Sequence, residues 1–307
     1  MIVRPRLHWF RMLFVLRGSV LPKIWLQLVV IAALAAAVTL SRGDLLGWRV
    51  GLTYVPFTSI GVALAIFLGF RNSASYDRYW EARKLWGTML NASRSLTRQY
   101  LLWCNAGSGA PRFVHRLIGF VHALRHQMRG TDPMPQLACL LDAPDDAALL
   151  ERLRTARSRP TLLLQSLGEM TTAALARGTL HPQLAAVMEH SLGELTDVLG
   201  GCERIANTPI PFTYSVIVHR TVYIYCFLLP FGLVSSIGLL TPLMVTFVAY
   251  TFLALDALNE ELEDPFGAMP NDLALDALAG GIEITLRELL GEADLPAAAQ
   301  PSDYVLM

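Results

Sequence analysis

Charge is scarce in this sequence: Asp, Glu, Lys and Arg make up 16% of its 307 residues, against about 25% in an ordinary soluble domain. The 25 basic and 25 acidic residues cancel. A nucleic-acid partner, which needs a basic surplus, is therefore excluded. Cysteine is also sparse. Cys104, Cys139, Cys202 and Cys226 form no CxxC or Cys/His spacing, so a disulfide framework and a structural zinc are not expected, and the four read as reduced, mostly packed thiols. β-Branched alternation is thin, which argues against sheets. No nucleophile elbow, phosphate loop or dinucleotide fingerprint occurs, so enzyme chemistry has no foothold and no cofactor is expected.

What the chain has in abundance is apolar surface, at 53% of residues. A membrane span takes about 20 mostly apolar residues, or ~17 at the short end. Ile24–Leu40 is 17 residues without a charge, and Val50–Phe70 is 21, with Pro56 and Gly61 inside it. Thr221–Leu255 runs 35 residues without a charge, too long for one span. Gly238 and Thr241-Pro242 divide it, since proline favours a helix start. The expectation is an all-α polytopic membrane protein with four transmembrane helices in two separated pairs. A cleaved signal peptide fits poorly, because its apolar part is only about 7–15 residues.

Lys and Arg counting sets the orientation. Arg4, Arg6, Arg11, Arg17 and Lys23 precede the first run, and Arg71, Arg78, Arg83, Lys84, Arg94 and Arg98 follow the second. The first connection carries only Arg42 and Arg49, and the Leu239–Leu240 turn carries none. Both termini and the central region are expected in the cytoplasm, with the chain in the cell (inner) membrane.

Between the pairs, helical periodicity recurs over 80–103, 112–128, 146–154, 160–176 and 182–206. Asn105–Pro111 and Gly130–Pro135 read as loops. The chain thus divides into residues 1–70 with the first pair, a cytoplasmic helical region over 71–219, a hairpin over 220–256 and a C-terminal segment over 257–307. Leu273 to Leu289 can continue as helix, while Pro296–Met307 is expected draped over a neighbour or disordered.

Three groups of residues could carry chemistry. Val62, Ile66 and Phe70 stand at i, i+4 and i+8, on one helical face. Gly61, Ala63, Ala65 and Gly69 beside them suit close helix approach in lipid. Spacing alone favours the plain reading that the three face lipid or another helix; around an axis they would form apolar rings able to gate by dewetting. Asp256, Glu260, Glu263 and Asp264 share a face within an acidic run that also holds Glu261. EF-hand spacing is absent, and a solvated acidic face is expected. His122 and His126 have a metal-compatible i, i+4 spacing, with His115 one face-turn earlier, but no HExxH glutamate lies between them, and no metal site is expected.

Three longer stretches carry more information. Arg71-Asn72-Ser73-Ala74-Ser75-Tyr76-Asp77-Arg78-Tyr79-Trp80-Glu81-Ala82-Arg83 with Trp86-Gly87 follows the second run. Glu203-Arg204-Ile205-Ala206-Asn207-Thr208-Pro209-Ile210-Pro211-Phe212, Tyr214 and His219-Arg220 precede the third. Asp256, Glu260-Glu261-Leu262-Glu263-Asp264-Pro265-Phe266-Gly267 and Asn271-Asp272-Leu273 follow the fourth, and Arg17-Gly18-Ser19-Val20 with Lys23 opens the chain. Together, over residues 1–290, these resemble the bestrophin family, most closely its bacterial and plant branch. The resemblance implies a homopentamer in membrane lipids around one central pore for permeant monovalent ions. It places the pore neck on Val62, Ile66 and Phe70 and a cytosolic aperture on Leu180, and it reverses the plain reading of the neck face.

Two departures from the family pattern matter. Animal members carry an acidic run after Pro-Phe-Gly that helps to clasp calcium; here Ala268-Met269-Pro270 intervenes, so calcium activation does not carry over. Animal necks are also richer in phenylalanine, whose positive ring edges can face an anion; here only Phe70 is of that kind. Animal and plant members resemble chloride channels and bacterial relatives can pass monovalent cations, so the sign of the ion stays open. A membrane scaffold or sensor binding a partner protein is the second reading, and a metal-dependent membrane enzyme using His122 and His126 the third.

Overall fold

The computed structural model describes residues 1–5, 8–16, 18–42, 44–45, 48–49, 52–104 and 109–307. Arg6 and Arg17 of the basic N-terminal set, Val50 at the start of the second apolar run, and Asn105 of the first expected loop lie outside the described residues. The described residues are mostly helical, with a two-residue antiparallel ladder pairing β1 (Asp44–Leu45) with β2 (Trp48–Arg49). The helices are α1 (Trp9–Met12), α2 (Leu21–Leu40), α3 (Tyr54–Trp103), α4 (Gly109–Arg129), α5 (Met134–Leu140), α6 (Ala147–Thr155), α7 (Arg159–Ala176), α8 (Pro182–Asn207), α9 (Phe212–Ile237), α10 (Thr241–Glu263) and α11 (Leu275–Leu290). Among the described residues, three helical stretches are long and apolar enough to cross a membrane: Leu21–Leu40, Tyr54–Trp103 and Phe212–Glu263.

The last of these is divided where expected. A 3-10 turn, Gly238–Leu240, separates α9 from α10, and Thr241-Pro242 opens α10. Gly238 sits at φ 53° and ψ −121°, a conformation open only to a residue without Cβ. The helix that carries the second apolar run does not end with it at Phe70. It continues without interruption into the polar segment as a single 50-residue helix, because no glycine-proline signal intervenes before Trp103. Met134–Leu140, read partly as loop, is helical from Met134, with Pro135 in its first turn, where a missing N–H costs nothing.

Two compact units interleave along the chain. One comprises Arg4–Tyr79 and Pro209–Asp264, the other Met1–Val3, Trp80–Thr208 and Pro265–Met307. In the first, α2, α9 and α10 pack on one another. Ile24, Leu28, Ile31 and Ala35 of α2 meet Val222 and Leu229 of α9, Val245, Ala249 and Leu253 of α10, and Phe57, Leu64 and Leu68 of α3. Close approach depends on Gly232, where a Cβ would lie 2.5 Å from the Phe57 ring.

In the second unit α4 is the central helix, contacting α5, α7, α8 and α11 and buried without a break from Phe113 to Leu124 except at His115. Phe113 stacks on Tyr100 at 3.7 Å between ring centroids. Arg116, 8% exposed, holds Asp146 at 2.8 Å through Nε, which fixes the start of α6. Opposite it, His122 Nε2 lies 2.8 Å from Glu283 of α11, and Arg287 Nε donates to the same carboxylate at 2.9 Å. The C-terminal tail is ordered by backbone pairing: Val3 N donates to Tyr304 O, Leu306 N to Met1 O and Ala277 N to Met307 O.

Two expected outcomes follow from this packing. Gly232→Ala places a methyl group against a buried ring, and overpacking of this kind costs about 1–3 kcal/mol; thermal unfolding in detergent should show the loss, while Gly168→Ala, with open space around it, should not. Burial alone would push the Glu283 carboxyl up, but the His122 hydrogen bond and Arg287 outweigh it and hold the group below its ordinary value. Its contribution to stability is therefore complete above the ordinary carboxylate range and is lost as pH falls through the lower folded value. Glu283→Gln should cost about 1–3 kcal/mol at neutral pH and flatten the acid limb of the unfolding profile.

Candidate functional site

The first 25 residues of α3 have two faces. Phe57, Leu64, Leu68, Arg71 and Ser75 recur at helical spacing and are all under 9% exposed. Val62, Ile66 and Phe70 are 58%, 53% and 66% exposed. At about 100° per residue the trio lies on the side of the helix opposite the buried set. One face is thus fixed by α9 and its neighbours, and the other is an uncovered apolar stripe of three large side chains.

The helix is held in this rotation by polar contacts just below the stripe. Arg71, 5% exposed, donates through Nη1 to Asp256 Oδ1 of α10 at 2.5 Å, and its Nη2 is 3.5 Å from Glu263. His219 Nδ1 of α9 meets the other oxygen of Asp256 at 2.7 Å. Arg78 Nε donates to the Glu263 carbonyl at 3.0 Å, and the Tyr214 hydroxyl donates to the Phe67 carbonyl at 3.0 Å. Lys23 of α2 reaches Glu261 at 2.6 Å. Removing one partner of a buried ion pair leaves the other charge uncompensated, at a cost of about 3–5 kcal/mol. Rotating α3 would break Arg71 from Asp256.

This corrects the expectation of a solvated acidic face after the fourth run. Asp256 and Glu261 are 8% and 5% exposed, because Arg71, His219 and Lys23 arrive from three other helices to pair with them. Partners this distant in sequence leave no local spacing signal. Of the expected face, Glu260 and Asp264 do stay exposed, so the correction falls on Asp256.

Leu180 is placed differently from the neck trio. It follows the left-handed Gly178 at the end of α7 and is 2% exposed. Within the single chain its side chain is therefore covered, unlike those of the neck trio. The histidines are also drawn apart. His122 turns to Glu283, while His126 meets Thr131 at 2.7 Å and has the Arg125 guanidinium at 2.5 Å. Burial and that neighbouring cation lower the His126 pKa. Among the described residues no group of three potential ligands comes together. The cysteines divide: Cys104, Cys202 and Cys226 are buried and Cys139 is exposed. Burial pushes the Cys202 thiol up to about 12, which leaves it unreactive.

The sequence matches the family described as Bacterial/Fungal Bestrophin protein over residues 1–288. It is 47% identical to a protein of Ralstonia nicotianae named as a voltage-dependent anion channel-forming protein, with 100% of both chains covered. It is 43% identical to one of the same description from Escherichia coli, over 99% of each. A crystal structure of a bacterial bestrophin homologue from Klebsiella pneumoniae, a point variant, superposes with a TM-score of 0.83 at 41% identity, covering 88% of this chain and 100% of that one. With a family match over nearly its whole length and relatives above 40% identity end to end, this chain is a membrane protein that belongs to the bacterial and fungal bestrophin family.

Proposed function

We propose that the chain is one subunit of a homopentameric bestrophin-type channel, with four spans, that passes small monovalent ions through a neck lined by Val62, Ile66 and Phe70. The observation that carries this reading is the uncovered apolar stripe on α3, opposite a face locked by buried packing and the Arg71–Asp256 pair. Copies of this helix around an axis place three apolar rings in series. Such a throat supplies no fixed charge, so it acts by dehydration and dewetting, and charged vestibules bias the ion. The anion-channel descriptions of the relatives support an anion as the passenger. They also weigh against the enzyme reading. The Leu180 aperture is not part of this proposal.

Replacing Val62, Ile66 and Phe70 together by alanine should raise single-channel conductance severalfold in planar bilayers, with the oligomer intact by size exclusion. Unchanged conductance sinks the neck assignment, and a silent wild-type protein across voltage and salt favours the scaffold reading. Reversal potentials in asymmetric NaCl should take the sign of an anion conductor; the opposite sign would assign cations. Both termini are proposed to be cytoplasmic. Leu239, 86% exposed in the turn between α9 and α10, should as Leu239→Cys react with an impermeant maleimide added outside intact cells. The exposed native Cys139 should react only after lysis.

A further inference from the structure

The charge-free runs of three helices all end at one cavity. Arg71 is the first charge after the 21-residue run of α3, Arg220 the last before the 35-residue run, and Asp256 the first after it. These three, with Phe212, Ser215, Val216, His219 and Glu260, line a space of about 390 Å³, within the range of small-ligand sites, about 300–1,000 Å³. Because each helix turns from apolar to charged at this level, the cavity sits at the boundary between hydrocarbon and water.

Its polar groups are not all used. Asp256 is satisfied by Arg71 and His219. Arg71 is buried, yet its Nε has no hydrogen-bond partner, and neither does the buried Ser215 Oγ. Arg220 and Glu260 are exposed and make no ion pair or hydrogen bond among the described residues. An orphaned buried donor on a charged group is costly. The open capacity is therefore of two kinds: donors at Arg71 Nε, Ser215 and Arg220, and one carboxylate at Glu260. A simple anion would meet Glu260 unpaired, and a simple cation would meet Arg220.

We propose that this cavity binds a zwitterion, an ammonium linked by a short chain to an oxyanion, such as the headgroup of phosphatidylethanolamine at the membrane boundary. The oxyanion takes Arg71 Nε, Arg220 and the Ser215 hydroxyl, and the ammonium donates to Glu260. The exposed Phe212, at 81%, offers apolar surface at the site for an acyl chain. The site does not depend on conduction through the neck.

Native mass spectrometry of the purified oligomer tests this, with equal amounts of phosphatidylethanolamine, phosphatidylglycerol and phosphatidylcholine added after delipidation. Phosphatidylethanolamine should be retained about tenfold or more over the other two, the effect of one charge-assisted hydrogen bond. Phosphatidylcholine lacks the ammonium N–H donors, and phosphatidylglycerol lacks the cation. Glu260→Gln should reduce the preference over phosphatidylcholine, and Arg220→Ala should lower retention of phosphatidylethanolamine. Both side chains are exposed and unpaired, so helix content and oligomer size should not change. Soluble phosphoethanolamine separates the two sources of the same chemistry: thermal stabilisation by it without lipid retention assigns a free zwitterion. Equal retention of all three lipids with no effect of soluble phosphoethanolamine overturns the proposal. Unchanged selectivity in a well-folded Glu260→Gln variant together with unchanged retention in Arg220→Ala overturns it too, as does an experimental oligomer with a neighbouring copy's side chain filling the cavity. Loss of ion current in any of these proteins bears on the channel reading and not on this site.

Discussion

Arg71 meeting Asp256 across α3 and α10 is the contact on which the membrane unit depends. It occurs where the helices leave their apolar runs, and lipid offers neither water nor counterions to a buried charge. An arginine that follows 21 uncharged residues must therefore either reach water or find a carboxylate. Here it finds two, Asp256 and Glu263, while His219 takes the second oxygen of Asp256 and Lys23 takes Glu261. Side chains from α2, α3, α9 and α10 thus converge in pairs just beyond their apolar segments. The pairing fixes rotation as well as proximity: Phe57, Leu64 and Leu68 face the core, and Val62, Ile66 and Phe70 are left on the outside of the chain.

That arrangement uses charge and apolarity in opposite ways. Helices in lipid gain little from apolar burial against one another, because lipid tails are equally apolar, so close packing and satisfied polar contacts hold them. Gly232 against Phe57 supplies the close packing, and the Arg71 cluster supplies the polar contact. The exposed stripe on α3 needs neither. It is an uncovered apolar surface, open to lipid, to a hydrophobic partner or, in the function proposed above, to an axis shared with other copies.

The second unit is organised as a soluble helical core would be, around α4. Its buried charges are also met by partners from other helices, Arg116 by Asp146 and Glu283 by His122, with Arg287 one turn along α11. Here periodicity in the sequence sufficed for most elements. The expected segments 112–128, 160–176 and 182–206 match α4, α7 and α8 to within a few residues, because each presents one wide apolar face to a single core and ends at glycine or proline. The helix Met134–Leu140 escaped because seven residues carry too little periodicity to stand out beside a Gly130–Pro135 loop signal.

What the sequence by itself determined is whatever depends on neighbours along the chain. Charge-free length identified the apolar stretches, Gly238 and Thr241-Pro242 placed the turn between α9 and α10, and three ordered motifs sufficed to recognise the family. Spacing also put Val62, Ile66 and Phe70 on one face, though not on which side of the unit. Only the tertiary structure decided that this face is uncovered, that Leu180 is enclosed within its own chain, and that Asp256, expected on a solvated face, is buried with Arg71 and His219 while Lys23 meets Glu261. The buried carboxylates rest on partners from other helices, up to 238 residues apart for Lys23 and Glu261. Pairing at that range is a matter of packing geometry, which leaves no period in the sequence.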